Sequence, residues 1–279
     1  MKNLLIIPLL LLFLITGCGN SDDENNAPLE AQTLTDVSYG TDAQQKIDIF
    51  LPYDRSINTK VIVLLHGGSW VGGDKSDVAS LVPVLKIQFP DHAIVNMNYR
   101  LATETSPAYP KQIDDIKSVL EHLKSNNYQI SSNYAFIGFS AGAHLSLLYA
   151  YAYDTEHNVK AICDVVGPAD FTDPNYTSHP LYPSASQVLV GSSSPTQEQI
   201  ETINPVNHIT TQSPPTISFY GGQDPLVPAT QGPRLKAALD NANVYNEYNL
   251  YANGGHGDWD EATYADVYSK MTLFLKNRF

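Results

Sequence analysis

A serine stands between two glycines in Gly138-Phe139-Ser140-Ala141-Gly142, where an apolar run ends and a helical pattern of small residues begins. The spacing G-x-S-x-G at a strand-to-helix turn is typical of a nucleophilic serine, because the turn holds the hydroxyl above a sheet edge at the N-terminus of a helix. The turn requires strained backbone angles at the serine, and side chains at the glycine positions would collide. The pentapeptide therefore predicts nucleophilic catalysis by Ser140.

A serine hydroxyl is a poor nucleophile at neutral pH, so it needs a base and a group that orients the base. The candidate base is His256, which lies in a glycine-flanked loop before the last helical pattern. The candidate acid is Asp224, directly after the apolar run 216–220. Asp170, after the preceding apolar run, is the competing acid. We favour Asp224 because its position before the histidine fits the chain order Ser…Asp…His.

Donors for a developing oxyanion are predicted in His66-Gly67-Gly68-Ser69-Trp70, which follows the apolar run 61–65. Paired glycines allow the backbone to approach a ligand closely and to direct N–H groups at it. We expect the amides of Gly68 and Ser69 to act together with the amide of Ala141. Trp70 is the candidate substrate-binding side chain of this segment.

These residues need a sheet to position them, and the pattern of apolar runs predicts one. Five apolar runs predict strands that are buried on both faces, at 61–65, 93–97, 134–139, 161–166 and 216–220. A more polar last strand is predicted at 244–251, and two alternating segments at 33–39 and 46–51 predict an antiparallel pair at the sheet edge. Helical patterns lie at 77–89, 111–124, 141–153, 234–240 and 262–276. Strands that alternate with helices predict a mostly parallel sheet.

The stretch 171–213 interrupts this alternation with prolines and many Ser, Thr and Asn residues. It contains one weak helical pattern, at 196–203. A long irregular segment in a compact fold is usually functional, so we expect a small irregular cap over the carboxyl edge of the sheet.

Composition excludes several classes of protein. The 279 residues are 43% hydrophobic and 16% charged, which is the balance of a globular chain with a large core. The formal net charge of −13, without a Lys/Arg cluster, argues against a nucleic-acid partner. The sequence has neither a Cys-x-x-Cys nor a His-Glu-x-x-His pattern, so we expect no metal and no cofactor.

The N-terminus is predicted to be a processing segment. Lys2 precedes an apolar run at 4–15, which ends in small residues before Cys18. This resembles a bacterial lipobox, and the alternative is an ordinary secretory signal with an incidental cysteine. We expect a signal peptide over 1–18 with lipidation of Cys18, a polar tether over 19–32, and a catalytic domain over 33–279. The lipid would anchor the protein in the bacterial envelope, at the outer membrane or cell surface.

Seven motifs in series carry a resemblance to a known family. They are 66–70, Asn98-Tyr99-Arg100-Leu101-Ala102, Tyr109-Pro110, Asp115, 138–142 with His144, Pro214-Pro215 with Gly222-Gln223-Asp224, and Gly255-His256. From about 34 to 279 the chain resembles the α/β-hydrolase esterases of the hormone-sensitive-lipase-like and bacterial feruloyl/acetyl-xylan esterase group.

The resemblance implies an α/β-hydrolase fold with an eight-stranded sheet, a triad of Ser140, Asp224 and His256, and hydrolysis of carboxylic esters through an acyl-enzyme. It also implies that Arg100 and Asp115 form a structural pair. Ser69 departs from the third glycine of many relatives, which predicts a tighter acyl site. The long amino-terminal helical cap of the lipase-like branch is missing, which favours the smaller esterases.

The leading hypothesis is an envelope carboxylesterase that acts on short-chain acyl or feruloyl esters of glycans or small molecules, with an acylated polysaccharide as a partner. Three alternatives stay open. An arylformamidase also carries a His-Gly-Gly-x-Trp segment, although its substrate is cytosolic. A prolyl-type serine peptidase would need a propeller domain. An inactive binding lipoprotein would have no reason to retain a nucleophile, a base, an acid and an oxyanion segment together.

Overall fold

The structure is a computed structural model that describes residues 28–279. The predicted signal peptide, Cys18 and most of the predicted tether lie outside the described residues. Within this range, no helix combines the length and the apolar composition that a membrane span requires.

A single sheet of eight strands organises the chain. The strands are β1 Gln32–Ser38, β2 Lys46–Leu51, β3 Val61–Leu65, β4 Ala93–Met97, β5 Tyr134–Phe139, β6 Val159–Val165, β7 Thr216–Gly221 and β8 Asn246–Tyr251. Their spatial order is β1-β2-β4-β3-β5-β6-β7-β8. β2 pairs antiparallel with β1 and β4, and every later pair is parallel. The predicted α/β-hydrolase sheet, with its antiparallel edge, is confirmed.

Eight α-helices accompany the strands in the described range: α1 Leu81–Gln88, α2 Lys111–Ser125, α3 Ala141–Leu148, α4 Pro174–Thr177, α5 Tyr182–Val190, α6 Gln197–Ile203, α7 Gln231–Asn241 and α8 Glu261–Arg278. The helices lie on both faces of the sheet, as the contacts of β3 show. Val61, Val63 and Leu65 pack in one core with α2, α3 and α7. Ile62 and Leu64 pack in the other core with α1 and α8. A strand with a helix layer on each face buries every side chain, which is why it reads as a continuous apolar run.

Two predicted helices differ in the structure. The pattern at 77–89 is a 3-10 turn, Lys75–Val78, followed by α1. Pro83 is the third residue of α1, and proline is tolerated only in the first turn of a helix, so α1 cannot begin much earlier. The pattern at 141–153 is α3 followed by a π-helical turn, Tyr149–Tyr153.

The cap segment, residues 171–213, is more regular than predicted. It holds α4, α5 and α6 and the 3-10 turn Pro205–His208, in place of one weak helix. Asp173 caps α4 with its side chain, and Thr196 and Gln199 form a capping box on α6. Short helices with local caps produce little periodicity in the sequence, which explains the difference.

Candidate active site

The serine turn has the strained geometry that the pentapeptide predicts. Ser140 lies between β5 and α3 with φ 50° and ψ −115°. A Cβ at Gly138 would lie 2.5 Å from Ala143 Cα, and a Cβ at Gly142 would lie 2.3 Å from the carbonyl oxygen of His66. Both glycines are therefore required by close backbone packing, which holds the Ser140 hydroxyl above the carboxyl edge of the sheet.

The structure brings the three predicted triad side chains together from distant parts of the chain. His256 Nε2 lies 2.8 Å from Ser140 Oγ, and His256 Nδ1 lies 2.7 Å from Asp224 Oδ2. A carboxylate accepts, so Nδ1 carries the proton and Nε2 is left free to accept from the serine hydroxyl. The three groups thus form a continuous chain of hydrogen bonds that ends at the Ser140 hydroxyl.

Several contacts hold the Asp224 carboxylate in the orientation that bonds to His256. Its side chain is fully buried. Its Oδ1 accepts the backbone N–H groups of Leu226 at 2.8 Å and Val227 at 2.9 Å, which leaves Oδ2 for the imidazole. These bonds orient the carboxylate toward His256 before any substrate binds.

Asp170, the competing acid, has other partners. Its Oδ2 lies 2.5 Å from Arg234 Nε, and its Oδ1 accepts from Thr172. Burial acts to raise the pKa of Asp170, but the hydrogen bonds from Thr172 and the ion pair with Arg234 outweigh it, and the pKa lies below its ordinary value. This carboxylate ties the start of the cap segment to α7.

The predicted oxyanion segment passes directly beside the nucleophile. A Cβ at Gly67 would lie 3.3 Å from Ser140 Cβ. Gly68 has φ 118°, and a Cβ there would lie 2.1 Å from the Gly72 carbonyl oxygen. Ser69 takes the left-handed φ of 51° that a glycine would adopt easily. The backbone N–H groups of Gly68, Ser69 and Ala141 donate to no acceptor within residues 28–279, so they are available to a bound oxyanion.

Trp70 anchors this segment to the cap through His144. The Trp70 indole N–H donates to His144 Nδ1 at 3.1 Å, and His144 Nε2–H donates to the Ile203 carbonyl at 2.9 Å. Burial lowers the pKa of His144 to about 4, so the imidazole is neutral and makes both bonds at neutral pH. The sequence identifies His144 only as a neighbour of the serine turn. Its bond to the end of α6 is a tertiary contact.

Two depressions open from Ser140 and His256. The first, here called the apolar cavity, has a volume of about 270 Å³. Besides Ser140 and His256, it is lined by Ser69, Trp70, Val71, Pro168, Tyr176, Leu181, Ser184, Ala185, Val188, Leu226 and Val227. Trp70 thus lies at the site as predicted. Tyr176 and the α5 side chains were missed, because their segment shows no motif.

The second depression, here called the polar cleft, has a volume of about 630 Å³. Its lining includes Asp77, Ser80, Leu81 and two tyrosines of α8, Tyr264 and Tyr268. No sequence motif associates these residues with the site, because the two groups lie far apart in the chain.

Other polar groups near the site hold the backbone. Asp115 is fully buried and lies 2.6 Å from Arg100, as expected of a structural pair. His66 stacks on Tyr99 with a centroid distance of 4.3 Å. Among residues 28–279, no three His, Cys, Asp or Glu side chains lie close enough together to hold a metal ion.

An eight-stranded, mostly parallel sheet with a serine turn after its central strand and a histidine after its last strand defines the α/β-hydrolase fold. The model of the BD-FAE family matches residues 47–239, and the chain belongs to that family.

Similar proteins come from several sources. A truncated carbohydrate esterase from gut microbiota is 25% identical in sequence and has a TM-score of 0.76, over 88% of this chain and 95% of that one. Esterase LipC of Mycobacterium tuberculosis is 23% identical over 79% of this chain, and a kynurenine formamidase of Danio rerio is 27% identical over 54%. The matches span 59% of the length of LipC and 52% of the formamidase.

Proposed function

We propose that this protein is a serine carboxylesterase that works through an acyl-enzyme. The observation that carries the proposal is the hydrogen-bonded chain from Asp224 through His256 to Ser140, beside three backbone N–H groups that have no acceptor in residues 28–279. The named esterases among its relatives support the same reaction class.

In the proposed first step, Ser140 Oγ attacks the ester carbonyl carbon and His256 Nε2 takes the hydroxyl proton. Asp224 stabilises the imidazolium that forms. The carbonyl oxygen becomes an oxyanion, which accepts from the amides of Gly68, Ser69 and Ala141. The carbon–oxygen bond to the alcohol then breaks, and His256 returns its proton to the leaving oxygen.

Water completes the cycle. His256 removes a proton from a water molecule, which attacks the acyl carbon, and the acid leaves when Ser140 recovers its proton. Placing nucleophile, base and oxyanion donors on one rigid sheet edge lowers the barrier mainly by preorganisation.

The proposed substrates are short-chain acyl or feruloyl esters of glycans or of small molecules. The apolar cavity is small in comparison with the roughly 300–1,000 Å³ of ordinary ligand pockets, which favours a compact acyl group. A carbohydrate esterase of 25% identity supports a glycan as the alcohol half.

A second candidate function is the hydrolysis of a formyl amide. Two fish kynurenine formamidases, each 27% identical, support it, although they match 54% and 42% of the chain against 79% for LipC. The two functions separate when purified protein is assayed on nitrophenyl esters of increasing chain length, on acetylated and feruloylated xylan fragments, and on N-formylkynurenine. Faster turnover of the formyl amide than of every ester would overturn the esterase assignment.

Ser140→Ala tests the nucleophile. Loss of the hydroxyl should lower kcat by about 10⁶, as in serine hydrolases whose nucleophile is removed. A fluorophosphonate probe should label the parent protein and leave the variant unlabelled, and circular dichroism should show the same fold. Equal labelling of both proteins would contradict the assignment.

We also propose that the mature protein is held in the bacterial envelope by lipid on Cys18. An acyl chain contributes about 0.8 kcal/mol per buried CH₂ group, so two or more chains anchor a protein stably. Cys18→Ala should move the protein from the detergent phase to the aqueous phase and abolish palmitate labelling, with no change in specific activity. A correctly cleaved variant that stays with membranes would contradict this proposal.

A further inference from the structure

The two depressions at Ser140 divide the surroundings of the nucleophile by chemistry. The apolar cavity presents mainly aliphatic and aromatic side chains of the cap and of the loop after β7. The polar cleft lies toward α8 and the 3-10 turn Lys75–Val78, and it presents carboxylate, hydroxyl and phenol groups among aliphatic side chains such as Leu81 and Val166. Both contain Ser140 and His256, so each has direct access to the reacting carbon.

The acyl half and the alcohol half of an ester extend in different directions from the carbonyl carbon that the serine attacks. The acyl half of a simple ester carries mainly C–H groups and stays on Ser140 when the alcohol departs. The alcohol half of a glycan ester is a ring with several hydroxyl groups and one apolar face. An apolar pocket cannot satisfy those hydroxyls, because each buried polar group without a partner costs about 1–3 kcal/mol. The polar cleft is therefore the better place for the alcohol.

Two tyrosines in the polar cleft form a surface that suits such a ring. Tyr264 and Tyr268 are one helical turn apart on α8, with ring centroids 5.6 Å apart and planes inclined by 32°. The Tyr264 hydroxyl donates to the Gly257 carbonyl, which fixes that ring beside the His256 loop. Tyr268 is half-buried, and its hydroxyl has no partner among residues 28–279. Its ring and its hydroxyl are both available to a ligand.

Asp77 lines the same polar cleft as the two tyrosines. Its Oδ2 accepts from the backbone N–H of Asp74 at 2.9 Å as part of a capping box, which fixes the carboxylate. Its Oδ1 has no partner within the described range, and Asp77 is exposed. A fixed carboxylate oxygen is a strong acceptor for sugar hydroxyls, because bonds to charged groups are about twice as strong as neutral ones.

We infer that the polar cleft is the leaving-group subsite for a pyranoside, with Tyr268 stacked on the apolar face of the sugar ring and Asp77 accepting its hydroxyls. This inference rests on the proposed esterase function and deepens it by naming the alcohol half. The sugar oxygen leaves Ser140's tetrahedral intermediate with the electron pair of the broken C–O bond and takes its proton from His256 Nε2. Tyr268 and Asp77 are specificity residues, and they touch the departing sugar and not the acyl group.

The test compares two esters with one acyl group, mono-O-acetylated methyl xyloside and ethyl acetate. Ethanol has neither a ring to stack on Tyr268 nor a further hydroxyl to donate to Asp77, so the ratio of kcat/KM for the two esters isolates the contribution of the subsite. Tyr268→Leu should lower this ratio about five- to tenfold, the equivalent of an aromatic contact of about 1–1.5 kcal/mol. Tyr268→Phe, which keeps the ring, should lower it less than about twofold. Asp77→Asn keeps the shape of the side chain in the capping box but removes its charge. This variant should lower the ratio by about three- to fivefold.

Matched controls and a binding measurement separate the possible failures. Tyr53, an exposed tyrosine beside a different depression, should leave the ratio unchanged when replaced by leucine. Methyl xyloside should inhibit ethyl acetate hydrolysis competitively, and Tyr268→Leu should weaken that inhibition. A parent enzyme that cleaves ethyl acetate but no acetylated xyloside would overturn the glycan substrate and this inference together.

An unchanged ratio in Tyr268→Leu, with the parent active on both esters, would overturn the subsite alone. The subsite would also be wrong if Tyr268→Leu changed the preference for acyl-chain length at a constant alcohol, since the polar cleft would then hold the acyl half. Failure of the parent to cleave any ester would instead overturn the proposed function.

Discussion

The carboxyl ends of β6 and β7 are neighbours in the sheet, and both carry buried carboxyl groups with opposite roles. Asp164 and Asp170 belong to β6 and the loop that follows it, and Asp224 belongs to the loop after β7. Asp164 and Asp170 meet partners that are fixed in place: backbone amides, a tyrosine hydroxyl and an arginine. Asp224 meets two backbone amides and an imidazole that can exchange a proton.

Burial of an acid therefore does not by itself mark it as catalytic. What distinguishes Asp224 is that one of its oxygens is left for the imidazole of His256, which in turn lies against the Ser140 hydroxyl. The carboxyl groups at the β6 end, Asp164 and Asp170, instead stabilise the fold around Asp224, His256 and Ser140. Substitutions at the three acids should therefore separate effects on rate from effects on stability.

Asp224→Asn should have the largest effect of the three. The amide would accept from Leu226 and Val227 with its oxygen and would turn its NH₂ toward His256, which drives the imidazole to the tautomer that cannot accept from Ser140. The expected loss of kcat is on the order of 10⁴, as for the equivalent change in a serine protease. Steady-state kinetics on a nitrophenyl ester measure it. If Asp170→Asn proves the slower enzyme, the acid that orients His256 lies after β6, and Asp170 and Asp224 exchange the roles assigned to them here.

Asp164→Asn should change the pH dependence of stability. Asp164 Oδ2 and the Gly167 carbonyl both lie 2.7 Å from the single hydroxyl of Tyr220, an arrangement that is satisfied when Asp164 carries a proton. Burial raises the pKa of Asp164 from 3.8 to about 7. Between about pH 4 and 7 the folded protein holds a proton that the unfolded chain has released, so stability falls as the pH rises through this range.

Urea denaturation at pH 5 and pH 8 measures this effect. The parent should lose roughly 2–4 kcal/mol more between the two pH values than Asp164→Asn, which has no proton to release. Asp240→Asn is the matched control, because hydrogen bonds from Lys236 and Asn246 hold the pKa of that exposed acid below its ordinary value. Identical pH dependence in the parent and Asp164→Asn would contradict this prediction, because it would show that Asp164 has already lost its proton in the folded state at pH 5.

Asp170→Asn should have the smallest effect on rate and a moderate effect on stability. It breaks the contact with Arg234, whose side chain is 39% exposed, so solvent screens part of the loss. We expect a decrease of about 1–3 kcal/mol in the free energy of unfolding. The rate should fall less than about tenfold, since Asp170 acts on the attachment of the cap segment to α7.

Arg234→Met is the companion variant, because it removes the same contact from the other side. The two substitutions and their double variant form a cycle that isolates the pair. Additive losses would mean that Asp170 and Arg234 stabilise the protein independently.

The sequence was most informative where local geometry leaves few choices. Gly138 and Gly142 flank Ser140 because the backbone on either side approaches too closely for a side chain, so the pentapeptide could be recognised without any tertiary information. The continuous apolar runs likewise indicated strands with a helix layer on each face. The helix around residues 141–153 was less predictable, because the same tyrosine- and alanine-rich sequence accommodates an α-helix and a π turn.

The cap segment is the part of the fold that the sequence predicted least well. α4, α5 and α6 are short, and their stability depends on local caps and on packing against the body of the fold rather than on long periodic faces. For the same reason the lining of the apolar cavity could not be anticipated, although the position of residues 171–213 over the sheet edge could.

The order of the strands and helices along the chain, the position of the serine turn, and a short set of candidate bases and acids could all be predicted from the sequence. These follow from steric constraints and hydrophobic periodicity, which act over a few neighbouring residues. Only the tertiary structure brought Asp224 and not Asp170 within hydrogen-bonding distance of His256, and joined Trp70 to the cap through His144. Distances of 2.7 to 3.1 Å between residues that are 32 to 116 positions apart depend on how the sheet twists and how its loops pack, and no local pattern encodes them.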